Sequence, residues 1–248
     1  MTRDNTELHI VDNIESLSTA MAEFFLKTSD EAVRDRGRFI VALSGGNSPK
    51  GLYSMLASGK FHERIKWNSI FFFFSDERFV PADDPQSNFR MIKETLFDPV
   101  GIPEHHVFPV NTRIDPSASA RAYEEAIRKQ LGNGCRFDLI LLGVGDDAHT
   151  ASLFPQADIL NEKRSLVKAF FAKEMNQFRI TFTAPLINRA AVVAFMTYGR
   201  SKANAVYHSL RGPLDPQEYP AQLIRSKLAK IHWFLDTEAA KSENFYFL

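Results

Sequence analysis

A single cysteine, Cys135, in a chain of 248 residues excludes an internal disulfide and any site built from several thiolates. One thiol suits a reducing compartment, and beside a loop it reads as inert. Charge of one sign is not in excess either, with 30 Lys plus Arg against 30 Asp plus Glu. Nothing therefore points to nucleic acid or to an anionic membrane as a partner. A small anionic ligand stays open, because a few local cations suffice to bind one. No apolar run approaches the ~20 residues that span a bilayer. The opening Met1-Thr-Arg-Asp-Asn-Thr-Glu7 lacks the apolar segment of a secretory signal. The expectation is a soluble, cytoplasmic protein. Internal repeats, low-complexity stretches and a Pro/Gly/Ser-rich linker are all missing, so residues 1–248 read as one domain.

What is present is a large apolar fraction, 44%, with 22 phenylalanines, enough for a core without covalent staples. Strand and helix patterns alternate. Strands are predicted at Glu7–Val11, Arg38–Leu43, Ser69–Phe74, Val107–Val110 and Phe137–Leu142. Later strands are predicted at Leu166–Phe171, Phe178–Thr183, Ala191–Thr197 and Ile231–Leu235. Helices are predicted at Ile14–Thr28, Pro49–Ala57, Asn88–Phe97, Ser117–Leu131 and Ser201–Leu210. Such alternation predicts an α/β fold, a mainly parallel twisted sheet with helices on both faces, Rossmann-like. The three prolines of Arg211–Pro220 make that stretch a loop.

Three segments carry candidate chemistry. In Asp138–Pro155 an apolar run, Leu139–Leu142, stops at Gly143-Val-Gly145 and is followed at once by Asp146, Asp147 and His149. Open α/β sheets place chemistry in this way, at strand C-termini. Read alone, the stretch equally fits a turn with an aspartate cap and a solvated histidine. In Ile40–Lys50 a strand ends at Ser44, Gly45-Gly46 turn the chain, and Asn47-Ser48-Pro49 open a helix. Serine suits the cap and proline the first helical position. Backbone N–H groups, the helix N-terminus and the hydroxyls of Ser44 and Ser48 together form a candidate phosphate cradle. It matches neither a Walker loop nor G-x-G-x-x-G. In Phe74–Arg78 a buried strand runs into Asp76, Glu77 and Arg78, which must face a cleft, pair or meet solvent, because unpaired buried charge is very costly. Ser87 and Asn88 cap the next helix. Arg179, the one charge in Phe178–Thr183, and Lys202, at a helix start, are the later cationic candidates. The remaining histidines, including His105-His106, show no metal-ligand spacing with carboxylates and read as loop or surface residues.

Taken in order, these segments resemble the 6-phosphogluconolactonase family, part of a wider group that includes the glucosamine-6-phosphate deaminases. The matching pieces are Leu43–Pro49, Ser75–Arg78 through Ser87-Asn88, Gly143–Pro155, Arg179–Thr181, Gly199–Lys202, Pro220-Ala221 and Trp233–Asp236. The resemblance implies hydrolysis of 6-phospho-D-glucono-1,5-lactone, a small sugar-phosphate substrate, to 6-phosphogluconate, the second step of the oxidative pentose phosphate pathway. It implies His149 as general base, Asp147 as its orienting carboxylate, and the turn Ser44, Gly45, Gly46, Asn47 and Ser48 with Asp76, Arg179 and Lys202 as the substrate and phosphate site. Arg78 either binds phosphate or polarises the carbonyl. No cofactor or metal is expected, since a lactone is already an activated ester. The deaminases carry a catalytic glutamate where this chain has Phe154, and phenylalanine transfers no proton. The remaining rivals are an isomerase or deaminase on the same scaffold and a non-catalytic sugar-phosphate sensor. Two departures stand out: Asn47-Ser48 replaces the family's Ser-Thr, and Ala148 replaces its glycine. If Ala148 needs a positive φ, the substitution costs on the order of 1 kcal/mol.

Overall fold

A computed structural model describes residues 5–226, 228–242 and 245–246. The chain begins with β1 (Thr6–Val11), α1 (Ile14–Arg36), β2 (Phe39–Leu43), α2 (Lys50–Leu56), β3 (Ile70–Phe74) and β4 (Asp76–Arg78). It continues with α3 (Asn88–Ile92), which runs into a π-helical turn at Lys93–Phe97, then α4 (Pro116–Leu131) and β5 (Leu139–Leu142). β6 (Val167–Ala172), β7 (Gln177–Phe182), β8 (Val192–Thr197), α5 (Ala203–Leu210) and β9 (Lys230–Asp236) follow.

Six strands form one parallel sheet in the order β1-β9-β8-β5-β2-β3. Chain order reverses between β2 and β5, since β2 leads outward to β3 and β5 leads the other way to β8. Such a reversal opens a crevice at the strand C-termini. The sheet is buried on both faces, which is why its strands read as unbroken apolar runs. Alternation then sorts their side chains: Phe39, Val41 and Leu43 of β2 pack with α1 and α2 residues such as Phe25 and Tyr53. Ile40 and Ala42 pack on the opposite side with Tyr123 and Ile127 of α4.

Three further strands make a small antiparallel sheet, β4-β7-β6, and Lys241–Ser242 pairs with Phe245–Tyr246 near the C-terminus. β4 consists of the three charged residues that no apolar pattern marks as a strand. Its pairing sets Asp76 opposite Thr181, Glu77 opposite Ile180 and Arg78 opposite Arg179. Glu77 makes this possible. It is buried, and its carboxylate accepts the backbone N–H groups of Arg78 (2.8 Å), Asn88 (2.7 Å) and Phe89 (2.8 Å) and the Ser87 hydroxyl (3.2 Å). Burial pushes its carboxyl above the ordinary range, against the pull of those backbone donors. Glu77→Ala strands four buried or part-buried donors, and we expect a loss of about 3–5 kcal/mol in stability, read as a lower midpoint in urea unfolding.

Several sequence expectations need correcting. α1 runs on to Arg36, because Ala32 and Val33 continue its apolar face until Gly37 ends it with φ +71°. Val107–Val110 is not a strand: Pro109 has no N–H to give, and one bridge, Phe72 to Val107, is all that forms. Ser48 does not cap α2 through its side chain; Pro49 holds the cap position. Ser87 does cap α3, accepting the Arg90 N–H. No helix among the described residues is long and apolar enough to cross a membrane.

Candidate active site

The loops after β2, β5 and β8 converge with β4 and β7 around a cleft of about 540 Å³. Ser44, Gly45, Gly46, Asn47, Ser48, Asp76, Arg78, His149, Arg179 and Lys202 all line it. Of the site residues that the resemblance implies, Asp147 alone is outside the lining, and it supports His149 from beside the wall.

The turn after β5 is folded around its own backbone. Gly145 N–H donates to the His149 carbonyl (2.9 Å), and Ala148 N–H donates to the Gly145 carbonyl (3.0 Å). The Asp147 carboxylate accepts the His149 N–H (3.1 Å) and meets its Nδ1 at 2.6 Å. Burial pushes the Asp147 carboxyl up, but its hydrogen bonds to His149 and the histidine's charge outweigh that and hold it below its ordinary value. An ionised Asp147 takes Nδ1–H as donor, which leaves the Nε2 lone pair free. Phe154 packs on the imidazole at 4.7 Å between centroids.

Ala148 has φ +62°, the strained conformation at which the family carries glycine. Its methyl group is fully buried in the core. Burying one methyl contributes about 0.8 kcal/mol, which roughly offsets the strain of about 1 kcal/mol. Gly145 is constrained differently. A Cβ there would overlap both the His149 ring and the Asp147 carboxylate. Gly145→Ala therefore dislodges that pair while leaving the sheet intact, and we expect kcat to fall at least tenfold, the scale of a small misplacement of catalytic groups. Steady-state rates beside an unchanged circular dichroism spectrum check this.

The glycine turn after β2 has its own division of labour. Gly46 supplies φ +85°. Gly45 allows close approach, since a Cβ would overlap the Asn88 carboxamide. The turn is tied to the fold by Tyr53, whose hydroxyl donates to the Ser44 carbonyl (2.7 Å) and accepts the Ser44 N–H (3.1 Å). Asn88, read from sequence only as a cap residue, donates Nδ2–H to the Asp76 carbonyl (2.9 Å). Asp76 in turn accepts the Ser152 hydroxyl at 2.6 Å. It joins β4, α3 and the loop after β5, so its carboxylate is engaged by protein donors. The sequence reading placed Asp76 with the ligand; it lines the cleft, and its carboxylate is held there by Ser152 and Asn88.

Three cations line the same cleft. Arg179 is buried, its Nε has no partner, and its Nη2 meets Met175 Sδ at 2.9 Å. Burial lowers its pKa, with Asp76 pulling the other way. Arg78 donates to the Gln86 carbonyl (2.7 Å) from the strand beside it. Lys202 pairs with Asp146 at 2.6 Å, and Ser201 donates to the same carboxylate at 3.2 Å. Asp146 and Asp147 thus have separate tasks, one on the lysine and one on the histidine. Behind them, Asp236 at the end of β9 accepts the Gly199 N–H (3.0 Å) and fixes the loop that carries Lys202.

Asn88, Ser152 and Met175 were missed as site residues; only contacts between distant segments reveal them. The cleft holds no group of three metal-ligating side chains among the described residues. The one such group, Glu7, His9 and His232, lies on β1 and β9. His106 lies in a short turn at Glu104–His106, in keeping with the loop reading, but its side chain is buried.

Comparison with known proteins agrees with this geometry. The family described as glucosamine-6-phosphate isomerases/6-phosphogluconolactonase matches residues 12–233. The 6-phosphogluconolactonase of Synechocystis sp. is 41% identical over 217 residues, 86% of this chain and 88% of that protein. The crystal structure of 6-phosphogluconolactonase from Thermotoga maritima is 31% identical, with a TM-score of 0.81 over 93% of this chain and 99% of that one. The 6-phosphogluconolactonase from Trypanosoma cruzi superposes with a TM-score of 0.86 at 27% identity over 99% of each chain.

Proposed function

The chain belongs to the family of glucosamine-6-phosphate isomerases and 6-phosphogluconolactonases, and within it we propose that this enzyme hydrolyses 6-phospho-D-glucono-1,5-lactone to 6-phosphogluconate. The reaction is the second step of the oxidative pentose phosphate pathway. The observation that carries the reading is the His149–Asp147 pair, 2.6 Å apart, with His149 lining the same cleft as Arg179 and the glycine turn. A base and anion-binding groups in one cleft suit a substrate with a reactive ester and a phosphate.

The phosphate docks on Arg179, Lys202 and the N–H groups and hydroxyls of Ser44 to Ser48. A guanidinium with unmet donors matches phosphate oxygens in a bidentate fork. That contact displaces Met175 from Arg179. His149 Nε2 then takes a proton from water as the oxygen adds to the lactone carbonyl. The resulting oxyanion is held by donors lining the cleft, Arg78 being the charged one beside β7. Collapse breaks the bond from the carbonyl carbon to the ring oxygen, and His149 returns its proton to that leaving oxygen. Asp147 keeps the imidazole in the tautomer that makes this possible and stabilises its cationic form. One water is consumed, and the new carboxyl group ionises, releasing a proton.

Phe154 is the feature that separates this reading from ring opening and amine release. Its phenyl ring lies on His149, and no second proton-transferring side chain stands at that position. An NMR time course tests the assignment. Freshly generated 6-phosphogluconolactone should disappear faster with enzyme than without, while glucosamine 6-phosphate should release no ammonia. A lactone decay equal to the spontaneous rate would remove the hydrolase reading, and ammonia release would replace it with a deaminase.

A further inference from the structure

β1 is the edge strand of the large sheet, and its one partner is β9. Their parallel register sets Glu7 opposite His232 and His9 opposite Phe234. Glu7 and His9, two positions apart, thereby meet His232, more than 220 positions further along the chain, on one face. His9 Nε2 lies 3.0 Å from His232 Nδ1, and His232 Nδ1 lies 3.5 Å from Glu7 Oε2. All three ligand atoms fall within 4.8 Å of one another. A tetrahedral zinc ion with bonds of about 2.0–2.1 Å sets neighbouring ligand atoms about 3.4 Å apart. The two separations from His232 differ from that by a few tenths of an ångström, and a small turn of the exposed Glu7 side chain brings its carboxylate into the same range of His9.

We propose that Glu7, His9 and His232 form a binding site for a first-row divalent transition-metal ion of the zinc class, bolting β1 to β9. Two imidazole nitrogens and one carboxylate oxygen favour Zn²⁺, Co²⁺ or Ni²⁺ over Mg²⁺ or Ca²⁺, which take oxygen ligands. Exposed Glu7 gives the ion its way in, and a fourth position remains for water. The rings are held for the task. His9 stacks on Phe234 at 4.2 Å, and Phe24 of α1 packs on His232 at 4.6 Å. Burial lowers the pKa of both histidines, that of His232 to about 4, with Glu7 acting in the opposite sense. Lys230 and Lys27 are the cations whose charge also reaches His232. Glu7 offsets their repulsion of a second positive charge.

None of the three residues lines the cleft. The site's role is to stabilise, not to catalyse, and it does not depend on the lactonase reading. The test uses tag-free, chelator-treated protein with Zn²⁺ added. A ligand that binds the native state alone raises Tm, by about 5–10 °C at a hundredfold excess over Kd for a chain of this size. We expect that rise in the wild type and in His149→Asn, which removes the imidazole of the cleft. In His9→Gln it disappears, and in Glu7→Gln it shrinks, with lactone turnover unchanged in both. Co²⁺ in place of Zn²⁺ should give intense tetrahedral d–d bands that are absent from His9→Gln. A wild-type Tm that does not rise, or a rise equal in His9→Gln, overturns the proposal. Loss of the rise in His149→Asn would also overturn it, by moving the ion to the cleft.

Discussion

His149→Asn should lower kcat by about 10²- to 10⁴-fold, the range that one positioned general base supplies. Affinity for 6-phosphogluconate should change little. Asparagine keeps a polar, compact side chain but has no nitrogen that titrates near neutral pH. Nothing else in the cleft replaces it: Asp147 faces the imidazole at 2.6 Å, Asp146 is paired with Lys202, and Asp76 is bound to Ser152. Phe154 covers the imidazole with an apolar ring. Asp147→Asn should fall between the wild type and His149→Asn, because the base survives but its tautomer is no longer enforced. Steady-state rates corrected for spontaneous hydrolysis, with product affinity by calorimetry, check both. A His149→Asn enzyme turning over at near-normal rate would remove the histidine from the mechanism.

Arg179→Met carries the second large effect, on binding. Arg179 is buried with an unpartnered Nε, and its Nη2 rests on a thioether, a weak acceptor that a phosphate oxygen displaces. Truncating one member of a buried, charge-assisted pair costs about 2–5 kcal/mol, or roughly 30- to several-thousand-fold. We expect kcat/KM for the phosphorylated lactone to fall by that factor, mostly through KM. With unphosphorylated gluconolactone the wild type and Arg179→Met should differ little. Arg179→Lys should recover part of the loss, since it keeps the charge but not the fork. Equal losses on both lactones would place Arg179 at the reacting carbonyl instead of the phosphate.

These effects also show which parts of the molecule are legible in its sequence. The parallel strands are, because burial on both faces leaves continuous runs such as Phe71–Phe74 and Leu139–Leu142. The turns after β2 and β5 are legible for the same reason: glycine and charge abruptly follow apolar runs. The antiparallel sheet is not. β4 is three charged residues made tolerable by donors from Ser87, Asn88 and Phe89, which lie ten and more positions away. β6 and β7 look like further members of the alternation, yet a short hairpin joins them and they leave the main sheet. Val107–Val110 has strand-like residues but contains Pro109, and the backbone donor decides. Ala148 shows the reverse case. Its departure from the family's glycine raised the question of a positive φ, and the turn does adopt φ +62°. The tasks of Gly45, Gly145 and Asn88 depend on contacts between segments, and so does the pairing of His9 with His232.

The measurement that bears most directly on the central claim is proton release in a pH-stat after adding freshly generated 6-phosphogluconolactone. Rates are taken for wild type, His149→Asn and buffer alone. The account predicts strong acceleration by the wild type and a rate close to buffer with His149→Asn. Wild-type release no faster than buffer, with 6-phosphogluconate still bound tightly, would contradict it and leave a sugar-phosphate sensor in its place.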